Sequence, residues 1–317
     1  MAGSRKLNLL PDNPTLQEEG KAVGPGRFPK WLHRTLPKGN ELGKTEQILE
    51  KSRLPTVCVE AKCPNLLECW SKKTATFLAM GKTCTRNCGF CSIDFAAKPA
   101  SLEDDEPQRL AESVQQLGLK HVVITMVARD DLPDGGADHL ARIITAVRAL
   151  NPQSTVEVLT SDFQGRETSI QKVLDAGPEI FNHNIETVRT LTPRVRHKAT
   201  YDRTLSVLNY VANKAPHILV KSGFMVGLGE SIEEIYETIR DLKATGCSII
   251  TIGQYLQSSA RKLLVKAFVP PEQFEAYATY GHALGIKYMY CGPFVRSSYN
   301  AESVFEKSSN IAPKDNP

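Results

Sequence analysis

From residue 76 to residue 290 the sequence keeps one rhythm: a short apolar run, then an amphipathic stretch, then another apolar run. Strands are expected at 76–81, 121–126, 155–159, 179–184, 218–226, 248–255 and 286–290, and helices at 107–117, 138–150, 167–176, 201–213, 231–245 and 271–284. One strand and one helix per ~30–35 residues implies parallel strands joined by helical crossovers, because parallel neighbours cannot be joined by a tight turn. Six such units predict an α/β fold, a partial (β/α)6 barrel of TIM type. Eight units would usually take ~250 residues in this region. An open doubly wound sheet is the competing architecture. Helix punctuation agrees with the rhythm. Asp138 is expected to cap its helix, Ser231 and Glu234 fit a capping box, and Gly118, Gly177, Gly246 and Gly285 stand where left-handed C-terminal residues belong.

Around this core the chain divides into an irregular arm and short helix (1–52, the helix at 41–51), a cysteine segment (53–75), the barrel (76–291) and a C-terminal extension (292–317). The arm is rich in Pro and Gly and carries Phe28 and Trp31. No apolar run approaches the ~20 residues that cross a bilayer. Nor does the first stretch resemble a signal or transit peptide. The expectation is a soluble cytoplasmic protein without membrane contact. A net charge of +4 is too small to argue for nucleic acid, though it suits an acidic protein partner.

Six of the eight cysteines fall between residues 58 and 91. In a cytosolic chain such crowding points to metal rather than to disulfides. Cys84-Thr-Arg-Asn-Cys88-Gly-Phe-Cys91 follows the first strand, where barrel loops build active sites. Three thiolates on a four-iron cluster leave one iron open to an outside ligand, whereas four would close it. An amino-acid chelate at the open iron would bring a sulfonium within reach of one-electron reduction. A structural zinc knot is the plainer alternative, but zinc wants four ligands and no histidine lies between residues 34 and 120. The second triad, Cys58-x4-Cys63-x5-Cys69, lies in a polar segment and reads as a second cluster. Cys247 and Cys291 lie outside both spacings and read as packing residues.

The first triad, with aromatic Phe90 before its last cysteine, resembles the radical S-adenosylmethionine superfamily. Residues 52–71 resemble the auxiliary-cluster segment of lipoyl synthases, and Cys291-Gly-Pro-Phe-Val-Arg-Ser-Ser-Tyr299 resembles their C-terminal motif. The likeness runs from Phe28 to Tyr299 and includes 128–136, 181–187, 221–230 and 252–256. It departs at Ala128, Ser161, Ser258 and Asn300, none of them an expected cluster ligand.

The resemblance implies two 4Fe-4S clusters and S-adenosylmethionine. Cys84, Cys88 and Cys91 would hold the cluster that binds the cofactor. Cys58, Cys63, Cys69 and Ser298 would hold the auxiliary one. A serine oxygen is a harder ligand than thiolate and easier to lose, which suits a cluster that gives up its sulfide. Phe90 would lie beside the adenine, Asn184 and Glu186 would bind ribose hydroxyls, and Asp130 would accept from the cofactor amine, with Asp131 as a second acceptor. Thr125, Arg129, Lys221 and Gln254 complete the expected contacts. The implied substrate is an octanoyl group on a lysine of a lipoyl carrier domain (2-oxoacid dehydrogenase E2 or glycine cleavage H protein). The implied reaction inserts sulfur at carbons 6 and 8 through 5′-deoxyadenosyl radicals, with electrons from a donor such as flavodoxin or ferredoxin. The arm and the C-terminal motif are expected to close over the barrel mouth. Other sulfur-inserting radical enzymes of the biotin synthase or methylthiotransferase kind share much of this, and so would a non-enzymatic iron–sulfur carrier. The C-terminal serine motif separates them.

Overall fold

The computed structural model describes residues 27–33, 41–71 and 75–298. Most of the arm, Tyr299 and Asn300 lie outside the described residues. Seven parallel strands form one sheet: β1 (Thr76–Ala79), β2 (His121–Met126), β3 (Thr155–Leu159), β4 (Ile180–Asn182), β5 (Leu219–Val226), β6 (Ile249–Gln254) and β7 (Tyr288–Gly292). Each strand pairs with its neighbour in sequence, so the order runs from β1 to β7 without reversal. A doubly wound sheet reverses at a switch point, so this order decides for the partial barrel. It comprises six βα units and a seventh strand.

Strand residues explain the arrangement. β2 reads His-Val-Val-Ile-Thr-Met and is buried throughout, as a strand covered on both faces must be. Outside the sheet pack α4 (Glu106–Leu117), α5 (Ala137–Leu150), α6 (Glu167–Asp175), α8 (Tyr201–Lys214), α9 (Ile232–Ala244) and α10 (Pro271–Ala283). Each turns its apolar stripe inward; in α5, Leu140, Ile143, Ile144 and Val147 are wholly buried. Every such side chain contributes about 1.5–3 kcal/mol relative to exposure. Among the described residues no helix is long and apolar enough to cross a membrane.

The expected helix signals hold at most ends. Ser231 and Glu234 form both bonds of the capping box (2.8 and 3.2 Å), and Gly118 takes the left-handed conformation after α4 (φ 64°). Asp138 does not cap α5. Gly135 and Gly136 turn the chain through two positive φ values, and this swings Asp134 over the helix end. Its carboxylate accepts from the Gly136 and Asp138 amides (2.9 and 2.8 Å).

Ahead of the barrel lie α1 (Glu41–Lys51) and two short helices, α2 (Val57–Glu60) and α3 (Leu66–Ser71). Between α6 and α8 sits the single turn α7 (Thr192–Val195). The cysteine segment meets the free side of β1. Thr56 bridges Phe77 in antiparallel sense, and the Leu78 amide donates to Pro55 O (2.9 Å). This shields an edge that would otherwise offer unpaired amides. Of the arm, Phe28 packs on Phe268 in the loop after β6, with ring centroids 5.4 Å apart.

Candidate active site

The first cysteine triad hangs on a loop that begins where β1 ends. Met80 and Gly81 turn the chain through positive φ (71° and 87°). The buried Glu106 carboxylate accepts from the Met80 amide (3.0 Å) and from His139 Nε2 (2.6 Å). Further along, the Thr85 amide and hydroxyl both donate to Ala128 O (3.0 and 2.9 Å). The Gly89 amide donates to Val195 O, and Gly89 O accepts from the Leu263 amide (3.0 Å each). A Cβ at Gly89 would come within 3.0 Å of Leu263 Cγ, so glycine lets the three segments close together. The loop is therefore sewn to the segments that follow β2, β4 and β6.

Cys84, Cys88 and Cys91 are free thiols on this loop. Burial pushes Cys88 up to about 11, against the pull of the Arg196 charge. Burial likewise pushes Cys91 up to about 12, and its two neighbouring cysteines add to the rise. Such thiols stay protonated alone and ionise only when a cation replaces the proton, as iron does. Among the described residues no three His, Cys, Asp or Glu side chains gather as a single metal ion requires. A four-iron cube instead receives each thiolate at a separate corner, and three neighbouring cysteines on one loop fit that demand.

Charge is arranged tightly around the loop. Arg86, between the first two cysteines, forks onto Asp130 (2.8 and 2.7 Å) and reaches Asp162 (2.6 Å). Asp162 is wholly buried and also meets Arg203 at 3.2 Å. Burial alone would raise its carboxyl, yet the Arg86 bonds and charge hold it well below the usual range. Lys198 Nζ donates to Thr85 O (3.0 Å). The buried Arg196 donates to Asn184 O and Ile185 O (2.8 and 3.0 Å). Its charge acts on both Cys88 and Glu186. Burial raises the Glu186 carboxyl, and Arg196 and Asn184 pull it back. Glu186 holds a positive φ of 67°, an uncommon conformation for a side-chain-bearing residue.

Of the second triad, Cys58 sits on α2, Cys69 on α3 and Cys63 in the turn between them. Thr56 caps α2. The Cys63 amide donates to Cys58 O (3.0 Å), and the Cys69 amide to Asn65 O (2.9 Å). Burial pushes the Cys58 thiol up to about 11, with Cys63 adding to it. Asn65 Nδ2 donates to Phe294 O (2.8 Å), tying this segment to the C-terminal motif. From β7 the motif passes over β6, where a Cβ on Gly253 would strike Val295 O at 2.1 Å. It then reaches Asn184, whose Nδ2 donates to Ser297 Oγ (3.3 Å). Ser298 follows directly and is half-buried.

The other expected contacts fall into two groups. Phe90 packs among Val195, Leu228, Tyr255 and Val265. Thr125 is buried in β2 opposite Leu78 and Leu159. Arg129 is buried with Nε and Nη2 on Asp131, and its Nη1 has no hydrogen-bond partner. Asn184 Oδ1 is likewise buried and unpartnered. Orphaned polar atoms beside the cysteine loop fit a site that accepts a polar ligand.

Lys221 and Gln254 do not join them. Lys221 lies in the N-terminal half of β5, wholly buried, with its ammonium on the Glu157 carboxylate (2.8 and 3.0 Å). Gln254 is spent as a clamp: Nε2 donates to Val226, Tyr255 and Ala267 carbonyls, and Oε1 accepts from the Val269 amide. The Asp130 carboxylate is already forked by Arg86. Arg86, Asp162, Arg196 and Lys198 escaped the sequence reading. Their signals were an arginine inside the cysteine motif and the run Arg194-Val-Arg196-His-Lys198.

Residues 78–242 match the Radical SAM superfamily. The fold is shared with Streptococcus suis SuiB bound to S-adenosylmethionine (TM-score 0.55, 11% identity, 72% of this chain and 53% of that one). It is also shared with HydG, a maturase of the [FeFe]-hydrogenase (TM-score 0.53, 16% identity, 79% and 63%). A partial barrel with a three-cysteine loop beyond its first strand thus defines a radical S-adenosylmethionine enzyme, whose cofactors are a 4Fe-4S cluster and S-adenosylmethionine. Whole-chain similarity narrows the class. The lipoyl synthase of Protochlamydia amoebophila is 64% identical over 96% of this chain and 95% of its own length. That of Chlamydia muridarum is 53% identical over 90% and 92%. The chain belongs to the lipoyl synthase family.

Proposed function

We propose that the chain inserts two sulfur atoms, at carbons 6 and 8, into an octanoyl group borne on a lysine of a lipoyl carrier domain. The domain would belong to a 2-oxoacid dehydrogenase E2 or a glycine cleavage H protein. Cys84, Cys88 and Cys91 hold the cofactor's cluster; Cys58, Cys63 and Cys69 with Ser298 hold a second, consumed as the sulfur source. When bound, the first cluster supplies the electron that frees a 5′-deoxyadenosyl radical from S-adenosylmethionine, and the second supplies sulfide to the carbon radicals.

The chain's own residues do the positioning. Phe90 offers a face to the adenine from within an apolar group. Asn184 Oδ1 and Glu186 offer acceptors to ribose hydroxyls, and Arg129 Nη1 is a spare donor at the end of β2. Arg196 balances negative charge at Cys88. Arg86 keeps Asp130 and Asp162 paired, so neither disturbs the loop as a bare buried charge. The loop after β6, fixed by Gln254, meets the triad loop through the Ser92 and Ser258 hydroxyls and would limit water around a reactive radical.

One observation supports this reading most. Segment 291–298 is bonded at Asn65 to the second cysteine segment and at Asn184 to the pocket of the first. A serine beside that junction can face the second triad while the substrate carbon lies between the two.

The test is an anaerobic reaction of the iron-reconstituted protein with reductant, S-adenosylmethionine and an octanoylated lysine peptide. Mass spectrometry should find 5′-deoxyadenosine and a peptide that has gained two sulfurs. Deoxyadenosine without thiolated peptide would reject the substrate and keep the class.

A further inference from the structure

Beside the triad loop the surface carries a depression whose floor shares Val195 and Leu228 with the apolar group around Phe90. Val195, Leu228 and Leu263 floor it, Leu264 stands exposed at its lip, and Arg194 and Lys266 flank it. Two of the floor residues are the ones whose backbones grip Gly89, between Cys88 and Cys91. The depression and the cysteine loop are therefore one hydrogen-bonded layer apart.

Two of the three segments that line it carry charge of one sign. Residues 187–200 and 255–270 carry Arg189, Arg194, Arg196, Lys198, Arg261, Lys262 and Lys266 and no Asp or Glu, although the whole chain is nearly balanced at 39 basic to 35 acidic residues. Arg189 is paired with Asp202 and Asp241, and Arg196 is buried. Arg194 and Arg261 remain solvent-facing, and Lys262 and Lys266 are half-exposed. The third lining segment, around Leu228, carries its carboxylates in bonds: Glu230 accepts from the Gly227 and Leu228 amides, and Glu234 from the Ser231 amide and the Thr190 hydroxyl. An apolar floor with a basic rim fits an acidic protein surface.

The chemistry selects which acidic protein. Reductive cleavage of S-adenosylmethionine needs an electron from outside, delivered to the triad loop. The octanoyl chain must instead reach the junction at Asn184, Gly253 and Asn65, and none of these lines the depression. We infer that this face docks an acidic one-electron carrier protein of the flavodoxin or ferredoxin kind, which rests on the radical enzyme reading above. One electron leaves the carrier's reduced centre, which is oxidised, and enters the centre held by the triad, which is reduced; no atom is transferred.

The experiment uses the full-length reconstituted protein, the double variant Arg194→Glu/Lys266→Glu, and flavodoxin as probe. Binding of oxidised flavodoxin, read by fluorescence anisotropy, should weaken about tenfold or more at low ionic strength. The gap should shrink as salt is added. Deoxyadenosine formation driven by flavodoxin should fall in step, while formation driven by dithionite stays unchanged. An unaltered flavodoxin Kd overturns the inference, as does a KM shift for the octanoylated carrier in place of the flavodoxin effect. If the unaltered protein forms no deoxyadenosine with dithionite, the proposed reaction fails, and the flavodoxin Kd still decides the docking face.

Discussion

Arg86 shows how much of the site rests on single side chains. It stands inside the cysteine motif, yet its guanidinium serves Asp130 and the wholly buried Asp162, which lie beyond β2 and β3. Asp162→Asn leaves Arg86 on Asp130 alone and removes the buried charge it shares with Arg203, and should cost about 1–3 kcal/mol. A urea midpoint unchanged from the parent would refute that. His183 offers a test in pH. Its Nδ1–H donates to Thr160 O (2.9 Å), and burial lowers the imidazole from 6.5 to about 4. Below 6.5 the unfolded chain binds a proton that the folded one refuses until about pH 4, so acid removes stability across that window. The slope is about 1.4 kcal/mol per pH unit and should flatten in His183→Gln, as urea midpoints between pH 7 and 4 would reveal. The cysteine triads stand out in the sequence because their spacing is short and local and needs no fold to be seen. Their charged companions do not, because Arg86, Asp162, Arg196 and Lys198 come from loops that only the sheet brings together. The partner of Lys221 was hidden for the same reason: its carboxylate, Glu157, lies two strands away.

Among elements, the C-terminal motif carries the most weight. It crosses β6 so closely at Gly253 that a methyl group would meet Val295 O. Gly253→Ala should lift the motif away, leaving deoxyadenosine formation largely intact and sharply reducing thiolated product. Product at the parent level would show that the contact does not matter. Ser298→Ala should give the same split without moving the backbone, and an undiminished product yield would remove the serine from the scheme. The Ser231 capping box is a structural control: Ser231→Ala should cost about 1 kcal/mol, read by thermal unfolding, with cofactor cleavage unaffected. Strand and helix order could be read ahead of the structure because apolar periodicity switches cleanly between the two. α2 and α3 could not, since helices of four and six residues are too short to show a period. The start of α5 was misjudged because a glycine pair let Asp134, outside the helix, reach back over its end.

Across the whole molecule, the regular barrel serves to bring irregular pieces from far apart in sequence to one mouth. The segment before β1 and the segment after β7 meet through Asn65 and Phe294, and the triad loop lies between the strand ends they flank. A mononuclear zinc protein would have no use for such a meeting. The most direct measurement of the account follows the sulfur itself. The protein is reconstituted with iron and sulfide enriched in a heavy sulfur isotope, freed of excess reagent, and given unlabelled S-adenosylmethionine, reductant and octanoylated carrier. The account predicts heavy sulfur at both new carbon–sulfur bonds and depletion of the protein's labile sulfide. Thiolated carrier bearing only light sulfur, with the protein's sulfide intact, would contradict it.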